Sequence, residues 1–274
     1  MKTKSPGTFI TELKDIARAA GEAIKDVRAR GADVEEKADG SPVTEADHAA
    51  NEVICERLEE LNAKWPVVSE EGELEKAEEL GTEKFWLVDP LDGTKEFVKG
   101  LPEYTVNIAL IDDGYPVAGV IQIPESGLLY HAIRGKGAWR SEGRGSGDRI
   151  RVSDRKNGKI TAAISRSHSD EVTERLLEKL GVDKTIRRGS SLKICSVAEG
   201  PADVYLRPAP TWLWDTAAGT IILREAGGCV TGLQPIMYRP EERMKLDTYV
   251  ASCNGKLAFQ AREALREAFE MTDG

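Results

Sequence analysis

The residues with the clearest chemical potential are Asp89 and Asp92, in the stretch Phe85-Trp86-Leu87-Val88-Asp89-Pro90-Leu91-Asp92-Gly93-Thr94-Lys95-Glu96-Phe97. An apolar run of strand character ends there in two acids separated by Pro-Leu, and Gly-Thr then starts a short helical turn. Asp89 precedes a proline and is held extended, while the turn after it can bring Asp92 and the Leu91 carbonyl back toward the Asp89 carboxylate. Hard oxygens facing one point suit Mg²⁺ or Ca²⁺ and not a thiophilic metal. The free N–H groups of Gly93, Thr94 and Lys95 can hold an anion beside that cation. Asp-Pro and Asp-Gly are also common turn pairs, so these residues alone fit an ordinary turn equally well.

Further acids stand at the ends of other elements. Trp65-Pro66-Val67-Val68 reads as a strand running into Ser69-Glu70-Glu71-Gly72, and open sheets place ligands at strand ends of this kind. Glu70 and Glu71 also begin an acidic segment reaching Glu79, which reads equally as a solvated face. Ala50, Val53, Ile54, Leu58 and Leu61 mark a helix capped by Thr44, and Asp47 falls where a carboxylate completes a capping box. That structural role is compatible with a chemical one. Trp212-Leu213-Trp214 leads into Asp215-Thr216-Ala217-Ala218-Gly219, where Asp215 reads as the N-cap of a helix ending at Gly227-Gly228.

The elements that must position these acids follow from hydrophobic periodicity. Ile10, Leu13, Ala17, Ala20, Ile24 and Val27 form the stripe of a first helix ended by Gly31, and a mostly polar stretch runs from Ala32 to Val43. Tyr104–Ile111 and Val117–Ile123 flank Asp112-Asp113-Gly114, a hairpin signal, and more strands follow through Val152. The pattern changes around Asp154-Arg155-Lys156-Asn157-Gly158-Lys159. We therefore expect an N-terminal α+β lobe over 1–154 and a C-terminal α/β lobe over 155–274. In the latter, Ser190 or Ser191 reads as the cap of a helix through Ala198, strands are expected at 160–165, 185–187, 202–207 and 248–251, and a last helix runs from about Lys256 to Phe269.

Composition narrows the chemistry. A net charge of −9 argues against binding polymeric nucleic acid, and an anionic small molecule would need a metal or local cations. No apolar run reaches the roughly 18 residues of a membrane span, and the N-terminus lacks a signal core, so the expected location is the cytoplasm. Cys55, Cys195, Cys229 and Cys253 include no Cys-x-x-Cys pair and read as reduced thiols. With only His48, His131 and His168, a histidine zinc site or triad has little material, and carboxylates must carry any catalysis.

Together, Glu70-Glu71, Asp89-Pro90-Leu91-Asp92-Gly93-Thr94 and Trp214-Asp215-Thr216-Ala217-Ala218-Gly219, followed by Glu225-Ala226-Gly227-Gly228, resemble the motifs of the inositol-monophosphatase-like superfamily. Their order and spacing cover nearly the whole chain. Within it, Lys95-Glu96-Phe97, Ser165-Arg166-Ser167-His168, Gly189-Ser190-Ser191-Leu192-Lys193 and Ala202–Arg207 look like the 3′(2′),5′-bisphosphate nucleotidase (CysQ-type) branch, whereas inositol monophosphatases more usually carry Thr-Asn-Phe after Asp-Gly. Ala209-Pro210-Thr211-Trp212-Leu213-Trp214 departs from the usual Gly-Pro-Thr opening and lacks the acid that many relatives carry just before Trp-Asp, so the substrate-side wall differs.

The resemblance implies a mixed α/β fold, a five-layer αβαβα sandwich with metals between its lobes. It implies Mg²⁺-dependent, Li⁺-sensitive removal of the 3′-phosphate of adenosine 3′,5′-bisphosphate by metal-activated water. Glu70, Asp89 and the Leu91 carbonyl would hold one ion, Asp89, Asp92 and Asp215 a second, and Asp47 a third, with Glu71 behind them. Gly93 and Thr94 N–H groups would hold phosphate, and the Thr94 hydroxyl, oriented by Asp47, a water. Arg166, His168, Ser190, Ser191, Lys193 and Arg207 are the substrate-side candidates, although Lys193 could equally point to solvent. Superfamily members are often homodimers. Inositol phosphate or fructose 1,6-bisphosphate are alternative substrates, and a catalytically silent metal or nucleotide sensor is the alternative of another class. Physically, cations answer the main obstacle, since a phosphate monoester dianion repels its nucleophile. Emptied of metal, the acids would repel one another, so metal should stabilise the fold.

Overall fold

The computed structural model describes residues 6–31, 34–36, 42–72, 80, 83–143, 145, 147–154, 158–166, 171–240 and 243–270. The chain begins with helix α1 (Pro6–Arg30), an antiparallel pair β1 (Val34–Glu36) and β2 (Pro42–Thr44), and helix α2 (Glu45–Asn62). Strands β3 (Val67–Ser69) and β4 (Lys84–Asp92), the short helix α3 (Thr94–Val98), and strands β5 (Thr105–Asp112), β6 (Tyr115–Gln122), β7 (Leu128–Ile133), β8 (Ala138–Glu142) and β9 (Asp148–Ile150) follow. The second half runs β10 (Ile160–Ser165), α4 (Glu171–Lys179), β11 (Val182–Arg188), α5 (Leu192–Ala198), β12 (Val204–Arg207), β13 (Thr211–Trp212), α6 (Leu213–Glu225), β14 (Cys229–Thr231), β15 (Lys245–Leu246), β16 (Tyr249–Ser252) and α7 (Gly255–Glu270).

Two sheets organise these elements, one of seven strands in the order β3 to β9 and one of five in the order β11-β10-β12-β16-β14. Side chains alternate across each strand, and both faces of the larger sheet are covered. Trp86, Val88, Ile108, Leu110 and Val120 join the apolar cluster of α1 and α2. Their neighbours Phe85, Leu87, Ala109, Ile111 and Ile121 join a central cluster with Leu213, Ala217 and Ile221 of α6. Two-sided burial explains why β4 and β5 read as apolar runs. The smaller sheet gives Tyr205, Tyr249 and Ala251 to the central cluster, and Ile160, Ala162, Val204, Leu206 and Val250 to a third one with Leu176 of α4 and Leu257, Ala261 and Leu265 of α7. The layers are α1/α2, sheet, α5/α6, sheet, α4/α7, the expected αβαβα sandwich.

Close approach of α6 to the larger sheet requires Gly119 on β6. A Cβ there would fall 2.6 Å from Ile221 Cγ2 and 3.1 Å from the Ala218 Cα. The central cluster therefore draws on residues from both sides of the change in pattern at 154. Three features depart from the sequence expectations. Strands β1 and β2 lie largely in the mostly polar stretch, where no strand is expected from sequence, and β13, β14 and β15 are not expected either. Each has only two or three residues, too few for periodicity to show, and exists through its partner. Strand β11 is longer than expected because it is an edge strand with largely exposed residues. No helix among the described residues is long and apolar enough to cross a membrane.

His131 on β7 is buried beneath α1. Burial, and then the charges of Lys14 and Arg18, push its pKa down to about 4. The unfolded chain takes up this proton near 6.5, so stability from this group is full at neutral pH and is lost as pH falls through that window, by about 2 kcal/mol between pH 7 and 5. His131→Gln should show a shallower loss of urea midpoint between pH 7 and 5 than the parent, and equal losses would refute this.

Candidate functional site

The acids converge because of how their elements end. Strands β3 and β4 are parallel, with Ser69 opposite Val88, so Glu70 and Asp89 leave adjacent strands in the same direction. In a regular strand Asp89 and Asp92 would face opposite sides. Here Asp89 pairs with Asn107 and Asp92 with Thr105, and the register shifts between them. Three steps on β4 against two on β5 make a bulge that turns Asp92 onto the face of Asp89. The expected end of the strand at Asp89 is thus a bulge, beyond which pairing resumes. Pro90 fits such a place, since it has no N–H to give a ladder.

Asp47 and Asp215 come from the first turns of α2 and α6. Asp47 completes the expected capping box: its Oδ2 accepts the Thr44 N–H at 2.8 Å and the Thr44 hydroxyl at 2.7 Å. Asp215 is not the cap, as its sequence suggested. Trp212 holds that position, and Asp215 stands three residues on, its Oδ2 accepting the Trp212 N–H at 3.2 Å and the Thr211 hydroxyl at 2.8 Å. Both carboxylates are anchored through one oxygen and lie where the helix dipole favours negative charge.

Glu70, Asp89 and Asp215 each offer a carboxylate oxygen within 4.8 Å of the others. Asp89 is 1% exposed. Burial, then the charges of Glu70, Asp92, Asp215 and Asp47, holds its carboxyl well above the usual range. Asp215 is pushed up to about 7 by burial and then by Asp92. Asp47 is raised by burial, against the hydrogen bonds from Thr44 and Thr94, with Glu71 adding repulsion. A cluster of hard oxygens that so lacks positive charge matches a divalent, oxygen-seeking cation.

The turn after Asp92 is built for close approach. Gly93 has φ +97°, and a Cβ on it would lie 3.3 Å from Glu103 O and Tyr104 Cα. The Thr94 hydroxyl lies 3.2 Å from both Asp47 Oδ1 and the Leu91 carbonyl oxygen, while the Leu91 N–H donates to Asp89 Oδ1 at 3.1 Å. Asp92, Gly93 and Asp215 line a cavity of about 200 Å³ with Lys193, Arg207 and Tyr205.

The substrate-side candidates divide. Lys193 does not point to solvent. Its ammonium donates to Ser190 O at 2.6 Å, lies 5.5 Å from the Tyr205 ring centroid, and is pulled below its ordinary pKa by burial. Arg207 also lines the cavity, and its buried Nε–H has no acceptor among the described residues. Ser190 and Ser191 line it too; Ser191 holds the expected N-cap position of α5, but neither hydroxyl makes a capping bond. Their hydroxyls donate to Asp92 Oδ2 at 2.7 and 2.8 Å, a stronger acceptor than water or a neutral carbonyl. Arg166 is not brought to the cavity, because its guanidinium pairs with Glu103. His168 lies outside the described residues.

Sequence reasoning missed Asn107, whose Nδ2 donates to Asp92 Oδ2 at 3.3 Å and Ser191 Oγ at 2.9 Å. A polar residue inside the apolar run of β5 was the available signal. It also missed Glu103, Thr211 and Tyr205.

The model of the inositol monophosphatase family matches residues 7–269. The chain belongs to that family. Its members are metal-dependent phosphatases, in keeping with the acidic cluster. Among curated proteins, the chain is similar to the 3′(2′),5′-bisphosphate nucleotidase CysQ of Escherichia coli K12, 45% identical over 238 residues, 85% of this chain and 95% of that protein. The solved CysQ of Bacteroides thetaiotaomicron, a bacterial member of the family, superposes with a TM-score of 0.78 at 37% identity, covering 92% of this chain and 99% of that one. The inositol monophosphatase of Anabaena gives 0.73 at 26% identity, over 95% and 96%.

Burial and mutual repulsion of acids in this family site have a measurable cost. A carboxyl whose pKa rises from 3.8 unfolded to about 7 folded favours the fold at low pH and disfavours it increasingly as pH rises to 7. Asp215→Asn keeps an acceptor for Thr211 and Trp212 while removing one charge. In EDTA at pH 8 this variant should melt above the parent, and MgCl₂ or MnCl₂ should raise its Tm less than the parent's. A variant melting below the parent in EDTA would contradict the cost of this buried, repelled charge.

Proposed function

We propose that the chain is a Mg²⁺-dependent 3′(2′),5′-bisphosphate nucleotidase that hydrolyses adenosine 3′,5′-bisphosphate to AMP and inorganic phosphate. The observation that carries the reading is the cavity, where Lys193 and Arg207 stand with Asp92 and Asp215. A substrate with one phosphate would have no use for cavity-lining cations beyond the metal site, whereas a bisphosphate brings a second dianion. The names carried by the CysQ relatives support the same substrate class.

In this reading Glu70, Asp89 and the Leu91 carbonyl hold one Mg²⁺, Asp89, Asp92 and Asp215 a second, and Asp47 flanks a third. When bound, Mg²⁺ supplies neutralisation of the phosphoryl charge and a lowered pKa for bound water. Gly93 and Thr94 turn their N–H groups to the phosphate oxygens at the start of α3. Thr94 directs its hydroxyl proton to Asp47 Oδ1 or Leu91 O, leaving an oxygen lone pair to accept from the attacking water and orient it. Lys193 and Arg207 receive the 5′-phosphate. Li⁺ should inhibit by competing for the same oxygens.

Phosphate release in MgCl₂ should be faster from adenosine 3′,5′-bisphosphate than from inositol 1-phosphate or fructose 1,6-bisphosphate, and a preference for inositol 1-phosphate would sink the substrate assignment. Lys193→Met removes a charge-assisted contact and should raise KM for the nucleotide roughly 10- to 100-fold. Thr94→Ala should instead lower kcat by about 100-fold or more with little change in KM. Unchanged kcat would take the water-orienting role from Thr94.

A further inference from the structure

Arg166 stands away from the cavity, yet it reaches the site through one intermediary. Its Nε donates to Glu103 Oε2 at 2.7 Å and its Nη2 to Glu103 Oε1 at 2.8 Å. The same Oε2 accepts the Gly189 N–H at 2.8 Å, and Arg188 Nη1 lies 4.0 Å from Oε1. Gly189 is pressed against this residue, since a Cβ on it would fall 2.7 Å from the Glu103 carbonyl oxygen. Ser190, next in the chain, has φ +52°. A non-glycine residue in that region carries a strain of about 1–2 kcal/mol, so something must hold it there.

What the strained turn achieves is visible at Asp92. The Ser190 and Ser191 hydroxyls both donate to Asp92 Oδ2, at 2.7 and 2.8 Å. Thr105 Oγ1 supports Ser190 Oγ at 2.6 Å, and Asn107 Nδ2 supports Ser191 Oγ at 2.9 Å. Glu103 precedes β5 of the seven-stranded sheet, and the turn joins β11 of the other sheet to α5. One carboxylate therefore links the two halves of the fold beside the site. Its partner is a bidentate guanidinium, the pairing with the most fixed geometry among side chains.

We propose that Glu103 and Arg166 form a latch that positions Asp92, by holding the 189–191 turn in the form that directs both serine hydroxyls to Asp92 Oδ2. Oδ2 is then filled with donors, and Oδ1 is the oxygen presented to a cation. Arg166 is thus a positioning residue and not a substrate contact. The inference rests on Asp92 as a metal ligand and on the phosphatase reading above.

The test compares full-length Glu103→Gln, Arg166→Met, Arg166→Lys and the Glu103→Gln/Arg166→Met double variant. Mn²⁺ affinity is measured by paramagnetic resonance titration without substrate, and kcat and KM by phosphate release. Arg166 is 39% exposed, so its substitution leaves the core intact. Each single loss should weaken Mn²⁺ binding and lower kcat roughly 10-fold or more, with KM near the parent's. The double variant should be no worse than either single one, and Arg166→Lys should recover part of the loss. A raised KM in Arg166→Met with Mn²⁺ affinity and kcat intact would make Arg166 a substrate contact and overturn the latch. Unchanged Mn²⁺ affinity throughout, or additive losses in the double variant, would overturn it too. Failure of the parent to hydrolyse a bisphosphate would refute the proposed substrate alone, since the Mn²⁺ titration still decides the latch.

Discussion

Repulsion among buried carboxylates is the constraint on which this structure turns. Four of the acids have one oxygen fixed by donors, local ones for Asp47 (Thr44), Asp215 (Thr211 and Trp212) and Asp89 (the Leu91 N–H), and distant ones, Ser190, Ser191 and Asn107, for Asp92. A carboxylate that accepts such bonds keeps its charge more readily than one that is merely buried. These donors do not cancel the repulsion, because burial and neighbouring acids still hold Asp89, Asp215 and Asp47 above the ordinary range. The cluster is thus stiff and short of positive charge, a condition that an oxygen-seeking cation relieves.

The sandwich exists, in functional terms, to bring remote chain ends to that cluster. A parallel pair sets Glu70 beside Asp89, a bulge turns Asp92 to the same face, and α6 carries Asp215 in between the sheets. Gly119 decides how near α6 can come, since any side chain there would meet Ile221. Site geometry is in this way inherited from core packing, which is far less deformable than a loop.

Much of this was legible from sequence because much of it is local. The Thr44 to Asp47 capping box, the Asp112–Gly114 hairpin and the strand end before Glu70 depend on residues a few positions apart, whereas the continuation of β4 past Asp89 depends on its pairing with β5. Asp215 was misread as a cap because Trp212, unlike Thr44, does not announce itself as one. Asn107 could have been found as a polar residue in an apolar strand. The orientation of Ser190, Ser191 and Arg166 was not available, since it is set by Asp92 and Glu103, distant in the chain. Serine before a helix and arginine after a strand each have a common local role, and only tertiary pairing selects the other one.

The same separation of local from distant explains how a chain of net charge −9 can suit an anionic substrate. Its overall field opposes the approach of a bisphosphate, so capture must depend on charges that act at short range and are poorly screened. Lys193 and Arg207 meet that condition, one with its ammonium buried against Tyr205 and the other with a buried Nε–H left over for an acceptor. Placing cations beside acids within one small cavity would be wasteful if they neutralised each other directly. Lys193 instead donates to the Ser190 carbonyl and Asp92 Oδ2 accepts from the Ser190 and Ser191 hydroxyls, so the two charges act on each other without a direct hydrogen bond, Asp92 favouring the charged ammonium against burial. The turn at 189–191 thereby gives each charge a neutral hydrogen-bond partner, Asp92 through its side chains and Lys193 through its backbone.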